Sequence, residues 1–439
     1  MMEWHSALLL LIGGLILLMA LGLPVVFAFI AINLVGAFVF MGGEVGIMQM
    51  ARNSAEAITS FSLIPIPLFV LMGEILFHTG LAYKAITAIE RLIKRVPGRL
   101  SIVSVLGGTA FATLSGSSIA NTAMMGSSLL PDMLKRGYHP SIAMGPIMAV
   151  GGIAMLIPPS ALAVTLGSLA GISIGQLLIG GIIPGMLMGV AVLLYVMIRC
   201  ARNPDLAPAD DVDTSLTTWQ RWQPFCVYVL PLSGIFVAVV GSLLTGWAEP
   251  TESAAFGAVA ATFAALCYRC LSLDSLVTSL METAKVSVMI LFVLVASTTF
   301  SQLLSFSGAT SGLLQVVTGW ELTPLMVVLG MLLVLLVLGC FADQISMIMI
   351  TLPFFMPLVS TLGIDPIWIG VLFLVAMEIS FLTPPFGLLL IVMQGVAPPG
   401  IRLTQVYQAA LPFLILQLLV LALVVALPWL ATGLPDMMR

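Results

Sequence analysis

Residues 377–387 read MEISFLTPPFG: two adjacent prolines in a strongly apolar stretch that also holds a glutamate, a serine and a threonine. Each proline removes a backbone donor and clashes with the preceding turn, so a helix entering this segment must stop. A second proline pair sits in IPPS, residues 157–160, in equally apolar surroundings. Two deliberate interruptions in an apolar chain are the feature from which the fold can be read.

The 439-residue chain is 60% hydrophobic and only 8% charged, with a mean hydropathy of +1.19, whereas soluble domains carry roughly 25% charged residues. Apolar stretches able to cross a ~30 Å hydrocarbon layer as helices follow one another almost from end to end. The fold class is therefore an all-α polytopic membrane protein. The expected crossings are 6–22, 24–42, 62–79, 140–171, 177–199, 225–245, 253–271, 285–304, 366–396 and 409–430, with apolar blocks 100–132 and 324–358 left to place. The polar segment Arg199 to Gln223 reads as a linker between halves. Met1 to His5 lacks the basic start of a signal peptide, so the first helix is expected to be retained. Cys267 and Cys270 form a single CxxC without a second ligand pair, which is weak as a zinc signature.

Basic residues place the two remaining blocks, because cytoplasmic loops hold the excess of Lys and Arg. Lys84, Arg91, Lys94, Arg95 and Arg99 precede the first block and Lys135 and Arg136 follow it, so both flanks belong inside and the block is a re-entrant helical hairpin with its tip at 115–121. Treating the second block alike adds Arg199, Arg202, Arg221, Arg269, Lys285 and Arg402, leaving only Arg52 and Arg439 of the fifteen outside. Ten crossings with both termini outside result.

A shift of 226 residues superposes Pro131 on Pro357, Gly137 on Gly363, Pro140 on Pro366 and Pro158-Pro159 on Pro384-Pro385. Shared backbone punctuation of this kind indicates two copies of one unit. The arm before the first hairpin, 83–99, is basic and its counterpart, 306–323, has no Lys or Arg, so the copies face opposite sides. Inverted repeats with discontinuous helices are the architecture of secondary transporters. The expected organisation is scaffold helices in 1–60, a first repeat in 61–199, a cytoplasmic linker in 200–224, further scaffold in 225–284 and a second repeat in 285–430.

Unwound backbone survives at membrane depth only where protein or a water-filled cavity covers it. Hairpin tips carrying Ser115, Ser117, Ser118, Asn121, Asp343 and Ser346 are expected to meet the proline breaks, where carbonyls and hydroxyls suit a small hard cation and helix N-termini a carboxylate. For each serine close helix packing is the competing role, whereas a carboxylate such as Asp343 in hydrocarbon points to an ion path. Glu378 is placed either facing the same cavity or capping a helix end, and Glu74 near an interface. The three histidines lie near predicted helix ends, away from the breaks. The chain has neither a phosphate-binding GxxxxGK[ST] loop nor HExxH, and Asp343 lacks the second buried aspartate that an intramembrane hydrolase would use, so transport driven by an ion gradient is expected rather than catalysis.

Six stretches carry a family resemblance: FSLIPIPLFVLMG (61–73), SGSSIANTAMMGSSLLPDMLKRGY (115–138), IPPS (157–160), GWAEPTESAAFGA (246–258), FADQISMIMITLPFFMP (341–357) and EISFLTPPFG (378–387). In this order they make the chain similar to the large, DctM-like membrane subunit of tripartite ATP-independent periplasmic (TRAP) transporters. The resemblance implies a sodium-driven importer of small organic acids in the bacterial inner membrane, working by an elevator movement. It also implies a small four-helix membrane subunit and a periplasmic substrate-binding protein as partners, beside membrane lipid and no nucleic acid, and no cofactor other than sodium as coupling ion. By similarity Ser117, Ser118 and Asn121 with Ile157, Pro158, Pro159 and Ser160 hold one sodium ion, and Asp343 with Thr383, Pro384 and Pro385 another. Ser115, Gly116, Ser346 and Gly387 complete the sodium set, and Ser60, Ser62, Ser117, Ser160 and Thr383 are the substrate set. The first break departs from the family's frequent TPPS, with Ile157 in place of threonine, which removes one side-chain oxygen. No arginine is expected within the membrane to clamp the anion. The rival reading is a stand-alone ion-coupled carboxylate or anion transporter of the same hairpin architecture.

Overall fold

The computed structural model describes residues 3–93, 96–208 and 217–438, the side chains of 113–115 excepted. Lys94, Arg95 and Arg439 of the charge count, and the middle of the linker at 209–216, lie outside the described residues. Among those described every regular element is helical. Six helical stretches are long and apolar enough to cross a bilayer, including Ile174–Arg202, Thr218–Leu244 and Leu403–Ala426, and shorter apolar helices fill the places where the chain breaks. Large apolar side chains such as Phe256, Val259, Phe263, Leu329 and Leu333 are exposed on outward faces, as suits a surface solvated by lipid tails.

Each repeat contains an arm, Leu81–Leu92 or Ala309–Gly319, that leads into a pair of packed helices. The first pair is Arg99–Ser115 and Ser118–Lys135, the second Pro324–Gly339 and Gln344–Thr361. The turns between them are short because the second limb is capped at once. Ser117 accepts from the Ala120 amide, and Asp343 accepts from the amides of Ile345 and Ser346. Ser117 shifted by 226 is Asp343, so both copies put an oxygen-bearing N-cap at the tip.

The next element starts at the helix-compatible first-turn proline, Pro140 or Pro366. Pro140–Gly152 runs through a short 3-10 turn, Ile153–Met155, breaks, and resumes as Ala161–Ala170; Pro366–Leu382 breaks and resumes as Leu388–Val396. The Pro158-Pro159 and Pro384-Pro385 bonds are both cis, a detail that proline count alone does not reveal. The copies interlock, the second limb of the first hairpin packing on Leu388–Val396 and that of the second hairpin on Ala161–Ala170. One large apolar core joins hairpins, broken helices and Leu403–Ala426. A second core ties the N-terminal helices to Leu273–Phe306, and a third ties Pro65–His78 to the first arm and Pro250–Cys267.

Three features differ from the expected arrangement. Glu44–Ile58 is a helix, although its Glu, Gln, Arg and Asn side chains make the segment too polar for a crossing. It seats Gly46 against the Ala37 carbonyl and reaches Leu273–Phe306 through an Asn53–Gln302 hydrogen bond. The crossing expected at 285–304 begins at Leu273 and runs unbroken for 34 residues, because the Ser272 cap starts the helix twelve residues ahead of its apolar part. The start of the linker is tied down: Leu206 accepts from the His139 amide at 2.8 Å, joining it to the start of the first broken helix.

Candidate functional site

The first tip and the first break meet. Gly116 takes a left-handed conformation, φ +60°, and a Cβ there would stand 2.7 Å from the Pro159 carbonyl oxygen. Asn121, one turn into the second limb, is wholly buried. Its amide nitrogen donates to the carbonyls of Gly108 at 3.0 Å and Val150 at 3.4 Å, while Oδ1 has no hydrogen-bond partner among the described residues. Ile157, Pro158, Pro159 and Ser160 are all buried, and Ser160 caps the resumed helix by accepting from Ala163. Ser118 is buried nearby on the limb; the side chain of Ser115 lies outside the described residues.

The second tip and the second break also meet, in a different register. Gln344 donates to Ser380 at 2.9 Å, and Gly339 packs on the Ser380 side chain, just ahead of the break. The Phe341 and Phe386 rings meet at a tilt of 53° with centroids 6.3 Å apart. Asp343 accepts from Ile345 at 3.1 Å and Ser346 at 3.3 Å through Oδ2, and the buried Ser346 hydroxyl donates to Oδ1. The Thr383 hydroxyl donates back to Ile379 at 2.8 Å, so its lone pairs stay available. The Pro385 carbonyl accepts from Tyr407 at 2.8 Å, and the Gly387 amide donates to Thr383 at 3.0 Å. Around both breaks the chain thus presents helix C-termini at Ser115, Met155, Gly339 and Leu382 and helix N-termini at Ser118, Ala161, Gln344 and Leu388. Carbonyl ends suit cations and amide ends suit anions.

The two sites differ in access. The first break is closed over, whereas Asp343, Pro385 and Phe386 are exposed and Phe341 keeps 69% of its surface. Ser60 and Ser62 are not brought to either break: their hydroxyls stand 2.8 Å apart, and Ser62 continues to Ser168 at 3.2 Å. Ser168 is eight residues beyond Ser160, about 12 Å further along the resumed helix.

Glu378 neither faces the break nor caps a helix end, which corrects both placements drawn from the sequence. It is wholly buried one turn before the break, with Oε1 accepting from Gln417 at 3.0 Å. Its carboxyl lies on Gly152, where a Cβ would come within 2.7 Å of Oε1, 2.8 Å of Cδ and 3.0 Å of Oε2. Gly152 shifted by 226 is Glu378, so the two are equivalent positions in contact, as on a local two-fold axis. Sequence reasoning also missed Thr122, buried against Gly151 with no hydroxyl partner among the described residues. Spacing gives the signal for it, one residue after Asn121. Glu74 meets His78 at 3.1 Å.

Comparison with known proteins fits this geometry. The family described as "Tripartite ATP-independent periplasmic transporter, DctM component" matches residues 12–430. The chain is 32% identical over 393 residues to the C4-dicarboxylate TRAP transporter large permease protein DctM of Pseudomonas aeruginosa, covering 89% of this chain and 90% of that one. It is 32% identical to the 2,3-diketo-L-gulonate TRAP transporter large permease protein YiaN of Escherichia coli, over 88% of each chain. It is 29% identical to the sialic acid TRAP transporter large permease protein SiaM of Vibrio cholerae, over 95% of each. The fold is shared with the YdaH transporter of Alcanivorax borkumensis at a TM-score of 0.65 and 13% identity, covering 90% of both chains. The chain is therefore a multi-pass inner-membrane transporter component, not an enzyme, and it belongs to the DctM component family of tripartite ATP-independent periplasmic transporters.

Proposed function

We propose that this permease imports a small organic acid together with sodium ions. The acid is handed over by a periplasmic substrate-binding protein, and the permease works in complex with a small four-helix membrane subunit. The observation that carries the reading is Asp343: a carboxylate at a hairpin tip, beside a proline break, with lone pairs left over after it has capped its helix. An ionised carboxylate offers about four acceptor sites, and Thr383 and the break carbonyls add neutral oxygens of the kind a hard cation takes. At the first break the oxygens are Asn121 Oδ1, Ser117, Ser118, Ser160 and the 157–159 carbonyls, with Ile157 contributing backbone alone. Gly116 and Gly387 let the backbone approach closely at the two sites.

The cargo is read as an acid because amide ends gather at the breaks, and because several relatives are named for acids: C4-dicarboxylate, 2,3-diketo-L-gulonate and sialic acid. Arg52, in Glu44–Ile58, and Arg402, at the start of Leu403–Ala426, are both exposed, so hydroxyls such as Ser117, Ser160 and Thr383, helix N-termini and bound sodium would hold the anion. Ser60 and Ser62, at the far end of the resumed helix, would then contact cargo on its way in rather than at the breaks. In an elevator movement the hairpins and broken helices would slide together against the scaffold.

The test is uptake of labelled acids into proteoliposomes holding both membrane subunits, with and without binding protein and an inward sodium gradient. Uptake that needs both supports the proposal. Uptake without the binding protein turns the reading to a stand-alone carboxylate or anion transporter, and indifference to sodium removes the coupling ion.

A further inference from the structure

We propose that Glu378 carries a proton and is locked reciprocally to Gln417, as a positioning residue that ties the second broken helix to Leu403–Ala426 where it lies on the first, and takes no part in carrying charge. Glu378 has 0% and Gln417 1% of its surface exposed. One hydrogen bond joins them, from Gln417 Nε2 to Glu378 Oε1 at 3.0 Å, and two atoms of the pair, Glu378 Oε2 and Gln417 Oε1, stay buried without a partner among the described residues. If the carboxyl is ionised, both leftover atoms are acceptors and neither can satisfy the other. A single proton on Oε2 turns it into a donor whose natural acceptor is Gln417 Oε1, since an acid and a primary amide present complementary edges. One proton therefore resolves both orphans.

The surroundings argue the same way. The carboxyl lies with its flat face on Gly152, Oε1, Cδ and Oε2 being nearly equidistant from the site of a Cβ, so no ion fits between. The helices packed on Pro366–Leu382, namely Pro324–Gly339, Gln344–Thr361, Leu403–Ala426, Ile174–Gly180, Ala161–Ala170, Leu388–Val396, Pro140–Gly152 with its 3-10 turn and Trp429–Asp436, contain no Lys, Arg or His. Their titratable members are Tyr407, occupied with Pro385, and Asp436 in the last helix; at their caps stand Asp343, His139, Cys340 and Arg402, and Asp365 caps the helix of Glu378 itself. None of these is a partner of Glu378. A buried anion without a counter-charge is strongly unfavourable, and a neutral acid paired edge to edge is not.

The experiment uses the assembled transporter in lipid, with glutamate carrying a ¹³C carboxyl, and reads infrared spectra beside uptake. The wild type should show a protonated-acid carbonyl band that persists through the pH range of transport, and Glu378→Gln should lack it. A carboxamide keeps both edges, so Glu378→Gln should hold uptake within about twofold with an unchanged pH profile. Gln417→Met, which keeps the volume and removes both bonds, should move the band to the frequency of an unpaired acid and lower uptake several-fold. The proposal is overturned by a wild type without the band, by a band that Gln417→Met leaves in place, or by a folded Glu378→Gln whose uptake falls tenfold or more. Should Glu378→Gln fail to reach the membrane, the wild-type and Gln417→Met spectra decide alone. The spectral result does not depend on which acid or ion is carried, so it separates this proposal from the functional one.

Discussion

Asp343 and Gly116 show how much a single residue at a tip decides. Asparagine caps a helix as well as aspartate does, so Asp343→Asn should leave the melting temperature of the detergent-solubilised protein nearly unchanged. Removing the charge from a charge-assisted site is worth about 1.5–3 kcal/mol. If the proposed sodium site is right, the variant should need about ten- to a hundredfold more sodium for half-maximal uptake; an unaltered sodium dependence would remove Asp343 from that proposed site. Gly116→Ala separates strain from contact when set beside Gly171→Ala. Both glycines are left-handed, at φ +60° and +66°, but only at Gly116 does a Cβ strike backbone, whereas Gly171 faces open space. Left-handed strain costs about 1–2 kcal/mol at either site, so the extra loss of thermal stability in Gly116→Ala measures the tip-to-break contact. Asp343 could be read in the sequence because a carboxylate in apolar surroundings demands a reason. Glu378 could not, because its partners, Gly152 and Gln417, lie 226 and 39 residues away and only tertiary packing brings them to it.

At the level of elements, the proline pairs, the hairpin limbs and their repetition were legible, since proline and glycine constrain the backbone wherever they stand. The amphipathic helix Glu44–Ile58 was not, because a hydropathy reading recognises helices that face lipid and this one shows a polar face. The early start of Leu273–Phe306 was hidden for a related reason: Asp274 and Glu282 lie in its first turns and read as loop. At 1.5 Å per residue that helix is about 51 Å long, well beyond a ~30 Å hydrocarbon layer, so its polar beginning stands outside the layer. The second break is held by Tyr407 from the next long helix, Leu403–Ala426. Tyr407→Phe should lower stability by about 0.5–1.5 kcal/mol, read as a shift in thermal unfolding. A variant that melts like the wild type would show that the Pro385 carbonyl finds another donor.

For the whole molecule the contrast between a shut first break and an open second one defines which conformation is in view. In a background without the five native cysteines, Phe386→Cys, at a position 60% exposed, should react with a membrane-impermeant maleimide, while Ser160→Cys, at 1%, should stay protected. Equal reactivity would mean that the two breaks share one access path. The proposed partners were legible only through ordered family motifs, since no composition or periodicity within a permease describes another protein.

The contact between Gly152 and Glu378 bears on how such a chain could come about. A unit that is copied and folded against its own inverted image meets itself at the axis, where any side chain must share its space with a second of the same kind. Two glutamates at that point would collide and repel, and two glycines would leave the helices with nothing between them. The two copies hold unlike residues here, Gly152 keeping the space and Glu378 filling it, so making the pair alike in either direction would crowd or empty the contact.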